Sequence, residues 1–303
     1  MERMHAFTLA AALTLAQPAP ALSPASLVDD VRKLTVARDN DERFEALTEM
    51  LRARNLAFTV EPFTLEKPVG NEPRTRGRNI VVSLGEGAEE ILVGAHYDAV
   101  HLPGGSLGPG AVDNGASCVM LVRLAETLRA ERLSMRVRIV WFDIEEYGLV
   151  GSAHYVDAHT ADRIVAMLNF DINGYGDTVL FGPPPGVPAS GDARLRRAFL
   201  QTCGNEEIDC LRFARMPPGD DRSFGKAGIA TLSIALLPAA EAHQVWLLLN
   251  AGANSGLAPG TAPAIFRTIH TSDDVVAKVD GASIARVHGF AAALVRHLSA
   301  SRP

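Results

Sequence analysis

Short, mostly apolar segments recur along the chain and alternate with stretches of helical spacing. Three of them are Ile91–Ala95 (ILVGA), Val137–Phe142 (VRIVWF) and Ile164–Phe170 (IVAMLNF). Strands buried on both faces form such nearly continuous apolar runs, and their alternation with helices favours a parallel sheet that is covered on both sides. We therefore expect an α/β fold: a single domain with a central, mostly parallel mixed β-sheet flanked by helices on both faces.

Polar residues follow these three segments. His96 comes directly after the first, Glu145 and Glu146 come shortly after the second, and Asp171 comes directly after the third. In open α/β sheets, ligands bind outside the carboxyl ends of the strands. We expect these side chains to meet at one edge of the sheet.

The other elements are placed by the same patterns. Further strands are predicted at Phe58–Leu65, Asn79–Leu84, Thr178–Phe181, Leu211–Ala214 and Ile229–Leu236. Helices are predicted over residues 26–55 with Ser26 as N-cap, from Asp113 to about Arg132, and over Gly151–Ala158, Asp192–Thr202 and Gly281–Leu298.

The first 21 residues have the layout of a signal peptide. Arg3 precedes the apolar run Ala6–Ala16, and an Ala-x-Ala step ends at Ala21. The run is too short for a membrane span. We expect cleavage after Ala21, a mature domain over residues 22–303, and a secreted or periplasmic location. The alternative is a buried N-terminal helix.

The three cysteines agree with an oxidising location. Cys203 and Cys210 bracket a short polar segment and could close a small disulfide loop. Cys118 lies among apolar residues and is expected to be buried. The formal net charge of −6, with no run of Lys or Arg, argues against a nucleic-acid partner.

Each polar candidate also has an ordinary structural role when taken alone. Asp113 could be a helix N-cap, Glu145–Glu146 an exposed turn, and His270 part of a turn. Residues i and i+2 of a strand share a face, so Asp98 could orient His96. Together, the histidines and carboxylates form a mixed nitrogen and oxygen ligand set that suits zinc, manganese or cobalt.

Five segments together resemble the ligand motifs of the family-28 zinc metallopeptidases, the co-catalytic aminopeptidases related to bacterial leucyl aminopeptidase. They occur in the family's order and with compatible spacing: HYDAV at 96–100, GAVDNGAS at 110–117, FDIEEYGLVGSAHY at 142–155, NFDINGYG at 169–176 and IHTSDD at 269–274. The resemblance implies the phosphorylase/hydrolase-like fold of the zinc exopeptidases and a peptide substrate cleaved at its N-terminal bond.

The resemblance also implies two zinc ions per chain and a role for each site residue. Five residues would be ligands: His96 and Asp171 on one ion, Glu146 and His270 on the other, and Asp113 bridging both. Glu145 would be the general base, and Asp98 would support the catalytic site. A cis peptide bond is implied between Asp113 and Asn114.

The chain departs from the family in two places. Many members have an Asp-His step four and three residues before a Phe, whereas Asp220 and Asp221 precede Phe224 here. An Asp therefore replaces that His, and the ligands are unaffected. The stretch Pro238–Phe266 matches nothing in the family pattern and is expected to line the substrate entrance.

Two alternatives share the fold. The related glutaminyl cyclases use a single zinc ion and convert N-terminal glutamine to pyroglutamate. A binding protein could keep the fold without the chemistry. A metal count and a substrate panel would separate these from the peptidase. The oligomeric state is not predicted.

Other hydrolase classes fit the sequence less well. The amino-acid amidohydrolases also begin with H-x-D, but they insert a dimerisation domain for which there is no room between Glu146 and His270. The segment Gly104–Gly108 (GGSLG) matches G-x-S-x-G, yet Pro103 and Pro109 favour a loop over the strand–turn–helix that this motif needs. The H-E-x-x-H motif of thermolysin-type enzymes does not occur.

Overall fold

A computed structural model describes residues 22–70, 74–160, 162–187, 193–258 and 262–300. The predicted signal peptide lies outside the described residues. Within those ranges, eight strands form one sheet: β1 (Thr59–Val69), β2 (Arg74–Leu84), β3 (Glu90–His96), β4 (Arg136–Phe142), β5 (Ile164–Phe170), β6 (Thr178–Gly182), β7 (Asp209–Arg212) and β8 (Thr231–Leu237). Their order across the sheet is β1-β2-β4-β3-β5-β8-β6-β7.

The centre of this sheet is parallel. Strand β3 pairs in parallel with β4 and with β5, and β5 pairs in parallel with β8. Outside them, β2 runs antiparallel to β4 and β6 runs antiparallel to β8. The carboxyl ends of the four central strands therefore lie at one edge, and the predicted mixed α/β sheet is confirmed.

Helices cover both faces of the sheet. The described helices are α1 (Pro24–Thr35), α2 (Asn40–Ala53), α3 (Ala116–Arg129), α4 (Val150–Ala158), α5 (Ala193–Asn205), α6 (Asp221–Lys226), α7 (Ala239–Trp246), α8 (Ile265–Thr268) and α9 (Gly281–Ala300). Helices α1, α3 and α9 pack together on one face, and α4 and α6 pack together on the other. Within the described ranges, no helix has the length and apolarity needed to cross a membrane.

Strand β3 shows why the apolar runs are continuous. All seven of its residues are buried. Ile91 and Val93 join the large core cluster that contains the apolar residues of α3 and α9. Leu92 joins a second cluster with Val140 and Phe142 on the other face. Because both faces are covered by helices, burial favours apolar residues at successive positions instead of every second one.

Two helix starts differ from the prediction. The first helix begins at Pro24, so Ser26 lies inside it and donates its hydroxyl to the carbonyl of Ser23. Asp113 does not open a helix, because it and Asn114 have non-helical backbone angles and α3 begins at Ala116. The side chain of Asp113 is therefore available for contacts other than capping.

The cysteines are placed as expected. Cys203, near the end of α5, and Cys210, in β7, are joined by a disulfide bond. Cys118 is a buried free thiol in α3 and donates to the carbonyl of His96 at 3.0 Å.

Candidate metal centre

The parallel centre of the sheet brings the predicted residues together. His96 is the last residue of β3, and Asp171 directly follows β5. Glu145 and Glu146 follow the end of β4, the neighbour of β3. The prediction that these side chains meet at one sheet edge is confirmed by their contacts, which are described next.

Two groups of potential ligand atoms form at this edge. In the first, His96 Nε2 lies 3.1 Å from Asp113 Oδ1 and 3.6 Å from Asp171 Oδ1. In the second, His270 Nε2 lies 3.2 Å from Asp113 Oδ2 and 3.0 Å from Glu146 Oε2. Asp113 belongs to both groups and offers a different carboxylate oxygen to each.

The spacing of these atoms suits a metal ion in each group. Ligands about 2.0–2.2 Å from a tetrahedral zinc ion lie roughly 3.3–3.6 Å from one another. Within each group, the ligand atoms lie within 4.8 Å of one another. Asp171 Oδ1 is buried and has no hydrogen-bond partner among the described residues. Buried polar atoms normally have a partner, so this oxygen is suited to bind a cation.

The charges of the site also favour a cation. Burial raises the pKa of Glu146 to about 7. Hydrogen bonds to Asp113 and Glu146 raise the pKa of His270 to about 11. Burial alone would raise the pKa of Asp113, but hydrogen bonds from His270 and His96 outweigh it and hold that pKa below its usual range. Carboxylates gathered around two imidazoles suit a cation, because a bound cation can take the place of protons at such a site.

Glu145 lies beside the two groups without belonging to either. Its Oε2 is 4.0 Å from His96 Nε2, and the residue lines the same cavity as the candidate ligands. Burial raises the pKa of Glu145 well above its ordinary value, and the nearby carboxylates of Asp220 and Asp171 raise it further. A carboxyl group in this position can exchange a proton with a molecule bound in the cavity.

Asp98 holds the turn that carries both glutamates. Its carboxylate accepts hydrogen bonds from the backbone N–H groups of Glu145 at 3.0 Å and Glu146 at 3.3 Å. Its Oδ1 also lies 3.5 Å from His96 Nδ1. We predicted only the contact with His96, so the support of the glutamate turn is an additional finding.

Asp274 is a functional residue that the sequence reasoning did not assign. Its carboxylate accepts hydrogen bonds from the backbone N–H groups of Val112 at 2.7 Å and Asp113 at 3.1 Å. It thereby connects the segment that carries Asp113 to the segment that carries His270. Its position four residues after His270, within IHTSDD, was the available signal.

Arg43 was also missed. Its guanidinium is fully buried in α2 and donates to the carbonyls of Tyr97 at 2.6 Å, Pro109 at 2.9 Å and Gly110 at 3.3 Å. It therefore joins the segment after His96 to the loop before Asp113. No local pattern around Arg43 indicates this role.

Unusual backbone conformations concentrate at this edge. Ile144, Ile172 and His270 have φ values of 55°, 56° and 58°. Positive φ is uncommon for any residue other than glycine and is rarest for β-branched residues such as the two isoleucines. Strained conformations tend to occur at functional sites. The peptide bond between Asp113 and Asn114 is cis, as the resemblance implied.

The two groups open into a cavity of about 1060 Å³. Apolar side chains, among them Leu149, Ile172 and Ile269, form part of its wall. Among the described residues of the stretch Pro238–Phe266, only the last one, Phe266, lines this cavity. Ser106 of the G-x-S-x-G match lies on an exposed loop.

Known proteins with the same fold include members of two enzyme classes. A zinc aminopeptidase from Bacillus subtilis has a TM-score of 0.68 and 13% identity, with 90% of this chain and 94% of that one covered. A glutaminyl cyclase from Porphyromonas gingivalis has a TM-score of 0.70 and 19% identity, with 92% and 99% covered. At these identities, the likeness establishes the fold.

Sequence comparisons give the family. An aminopeptidase from Pseudomonas aeruginosa strain UCBPP-PA14 is 33% identical over 156 residues, which are 45% of this chain and 28% of that protein. The chain spans 17–28% of the length of the curated relatives it matches. Residues 79–295 match the family described as peptidase family M28, and this segment contains every candidate ligand. The chain belongs to peptidase family M28.

Proposed function

We propose that this chain is a di-zinc metallo-exopeptidase, an aminopeptidase that hydrolyses the N-terminal peptide bond of peptides. The observation that carries the proposal is the placement of Asp113. One of its oxygens lies at 3.1 Å from His96 Nε2 and the other at 3.2 Å from His270 Nε2. A carboxylate shared in this way suits two metal ions held side by side.

In this proposal, each ion has its own ligands. His96 and Asp171 would hold one zinc ion, Glu146 and His270 would hold the other, and Asp113 would bridge them. Bound zinc supplies Lewis acidity to the scissile carbonyl and lowers the pKa of water.

Glu145 moves the proton. Its Oε2 would accept a proton from the attacking water and deliver it to the nitrogen of the leaving amine. Asp98 acts as a positioning residue, because its two hydrogen bonds fix the backbone of the turn from which Glu145 projects.

The test is a metal count combined with a substrate panel. Zinc-loaded protein would be assayed on aminoacyl-p-nitroanilides, dipeptides and peptides with N-terminal glutamine, and its zinc would be counted by mass spectrometry. We expect two zinc ions per chain and release of the N-terminal residue. Glu145→Gln should lose about 10²–10⁴-fold in turnover while keeping both ions. Glu49→Gln, at an exposed position of α2, is the matched control and should retain activity.

Other results would overturn this assignment. One zinc ion at full activity, with pyroglutamate as product, would identify a glutaminyl cyclase. A zinc-loaded chain that converts none of the substrates would identify a binding protein.

We also propose that the protein acts outside the cytoplasm after removal of residues 1–21. The support is the signal-peptide layout of that segment. Expression of the whole chain in a bacterial host, followed by N-terminal sequencing of the periplasmic protein, should give a chain that begins at Leu22. Retention of Met1 on cytoplasmic protein would contradict the proposal.

A further inference from the structure

Helix α6 presents two cations to the cavity of the candidate metal centre. Arg222 and Lys226 both line it, and they lie one helical turn apart, so they share a face of α6. The other side of α6 is buried through Asp221 and Phe224. The direction of the two cations therefore follows from the way this helix packs.

Neither cation has a carboxylate partner in the described part of the chain. No carboxylate of the described residues lies within 4.0 Å of the charged nitrogens of Arg222 or Lys226, and Arg222 Nε is buried with no hydrogen-bond partner there. Two other arginines with little solvent exposure are paired with carboxylates: Arg74 with Asp143 at 2.8 Å and Arg138 with Glu90 at 3.0 Å. A buried donor without an acceptor is unfavourable, and two like charges one turn apart repel. An anion in the cavity would offset the repulsion between the two charges.

The cavity is also lined by charged residues other than Arg222 and Lys226. Most of the remaining charged residues in its lining belong to the candidate metal centre, where bound zinc would neutralise the carboxylates. Asp157 also lines the cavity, from α4, but it pairs with neither cation within 4.0 Å. With metal bound, Arg222 and Lys226 therefore leave positive charge on the substrate-facing wall.

We propose that Arg222 and Lys226 bind a carboxylate of the substrate, so that the enzyme prefers peptides with a carboxylate close to the cleaved bond. This inference rests on the proposed peptidase function. The planar guanidinium can bind a carboxylate through two parallel hydrogen bonds, and the ammonium adds a second charge. The carboxylate has two possible sources: an acidic side chain next to the cleaved bond, or the C-terminus of a dipeptide.

Substrate pairs that differ only in a carboxylate or its amide distinguish these sources. The pairs are Leu-Leu with Leu-Leu-amide, Glu-p-nitroanilide with Gln-p-nitroanilide, and Leu-Glu-amide with Leu-Gln-amide. We expect kcat/KM to favour the carboxylate roughly tenfold or more in at least one pair, as the loss of one hydrogen bond to a charged group would predict. The pair that shows the preference identifies the source.

Variants connect the preference to these two residues. In Arg222→Gln/Lys226→Gln, the ratio of kcat/KM between carboxylate and amide should fall to about one. The double variant Arg196→Gln/Arg197→Gln removes the same charge from exposed positions on α5 and should keep the ratio. A preference that survives in the first variant, or disappears in the second, would overturn the inference.

A binding measurement separates this inference from the proposed function. Glu145→Gln should bind the same substrate pairs without turnover, and calorimetry would give the ratio of their Kd values. If the neutral substrates are cleaved but neither kcat/KM nor Kd favours a carboxylate, the inference is wrong and the peptidase assignment stands. If nothing is cleaved by the wild-type protein, the peptidase assignment fails, and the Kd ratio alone decides whether Arg222 and Lys226 bind a carboxylate.

Discussion

Replacement of Arg43 by methionine should destabilise the fold and weaken metal binding together. The guanidinium of Arg43 is fully buried and donates to three backbone carbonyls. Two of them, those of Tyr97 and Pro109, lie in the segments that follow His96 and precede Asp113. Methionine keeps most of the side-chain volume, so the change mainly removes the donors and the charge.

The expected magnitude follows from the acceptors that are left behind. A buried carbonyl without a donor costs about 1–3 kcal/mol. The carbonyl of Gly110 keeps its bond from the N–H of Gly115 at 3.0 Å, which leaves the buried carbonyl of Tyr97 and the partly buried carbonyl of Pro109. Burial of the Arg43 guanidinium lowers its pKa, and the loss of this buried charge offsets part of the cost. We expect the free energy of unfolding to fall by about 3 kcal/mol, out of a typical 5–15 kcal/mol.

The assay is urea denaturation in the presence of a chelator, so that zinc binding does not contribute to the stability. Zinc affinity would be measured separately by competition with a coloured chelator and should also decrease. Arg197→Met, at an exposed position of α5, is the control and should change the free energy of unfolding by less than about 0.5 kcal/mol. A loss below about 1 kcal/mol for Arg43→Met, with unchanged zinc affinity, would refute the reasoning.

Three further predictions concern separate parts of the chain. His270→Ala should lose at least one of the two zinc ions, and full occupancy by mass spectrometry would show that the assignment of His270 is wrong. Burial lowers the pKa of His288, so its contribution to stability is complete above the unfolded pKa of about 6.5 and is lost as the pH falls below it. The free energy of unfolding should therefore decrease more between pH 7.5 and 5.5 in the wild type than in His288→Gln, and equal decreases would contradict this. Cys203→Ala/Cys210→Ala opens a loop with a sequence separation of 7 and should cost about 2–3 kcal/mol in urea denaturation. An unchanged denaturation midpoint would argue against a stabilising disulfide.

The sheet and its polar edge were predictable because burial leaves a local trace. A central strand such as β5 was predicted at the bounds that the structure gives, Ile164–Phe170, since both of its faces are covered. The polar residues at or just after the ends of β3, β4 and β5 mark the points where the chain leaves the core. The meeting of His96, Glu145, Glu146 and Asp171 then follows from parallel pairing.

The supporting residues were not predictable, because their partners are distant in the chain. Arg43 is 54 residues from Tyr97, and Asp274 is 162 residues from Val112. Helix α6 is too short, at six residues, to show a helical period in the sequence. A role for its two cations can be inferred only from the structure, in which both line the cavity of the candidate metal centre.

The position of Asp113 depends on the other ligand segments. Its backbone N–H donates to Asp274, four residues after His270, and the side-chain amide of Asn114 donates to the carbonyl of Phe170 at 3.0 Å, directly before Asp171. The residue that contacts both histidines is therefore held by bonds to the segments that carry His270 and Asp171. A shift of either segment would move Asp113 and disturb both groups of ligand atoms at once. For this reason, the two candidate metal sites are expected to form or be lost as a unit and not independently.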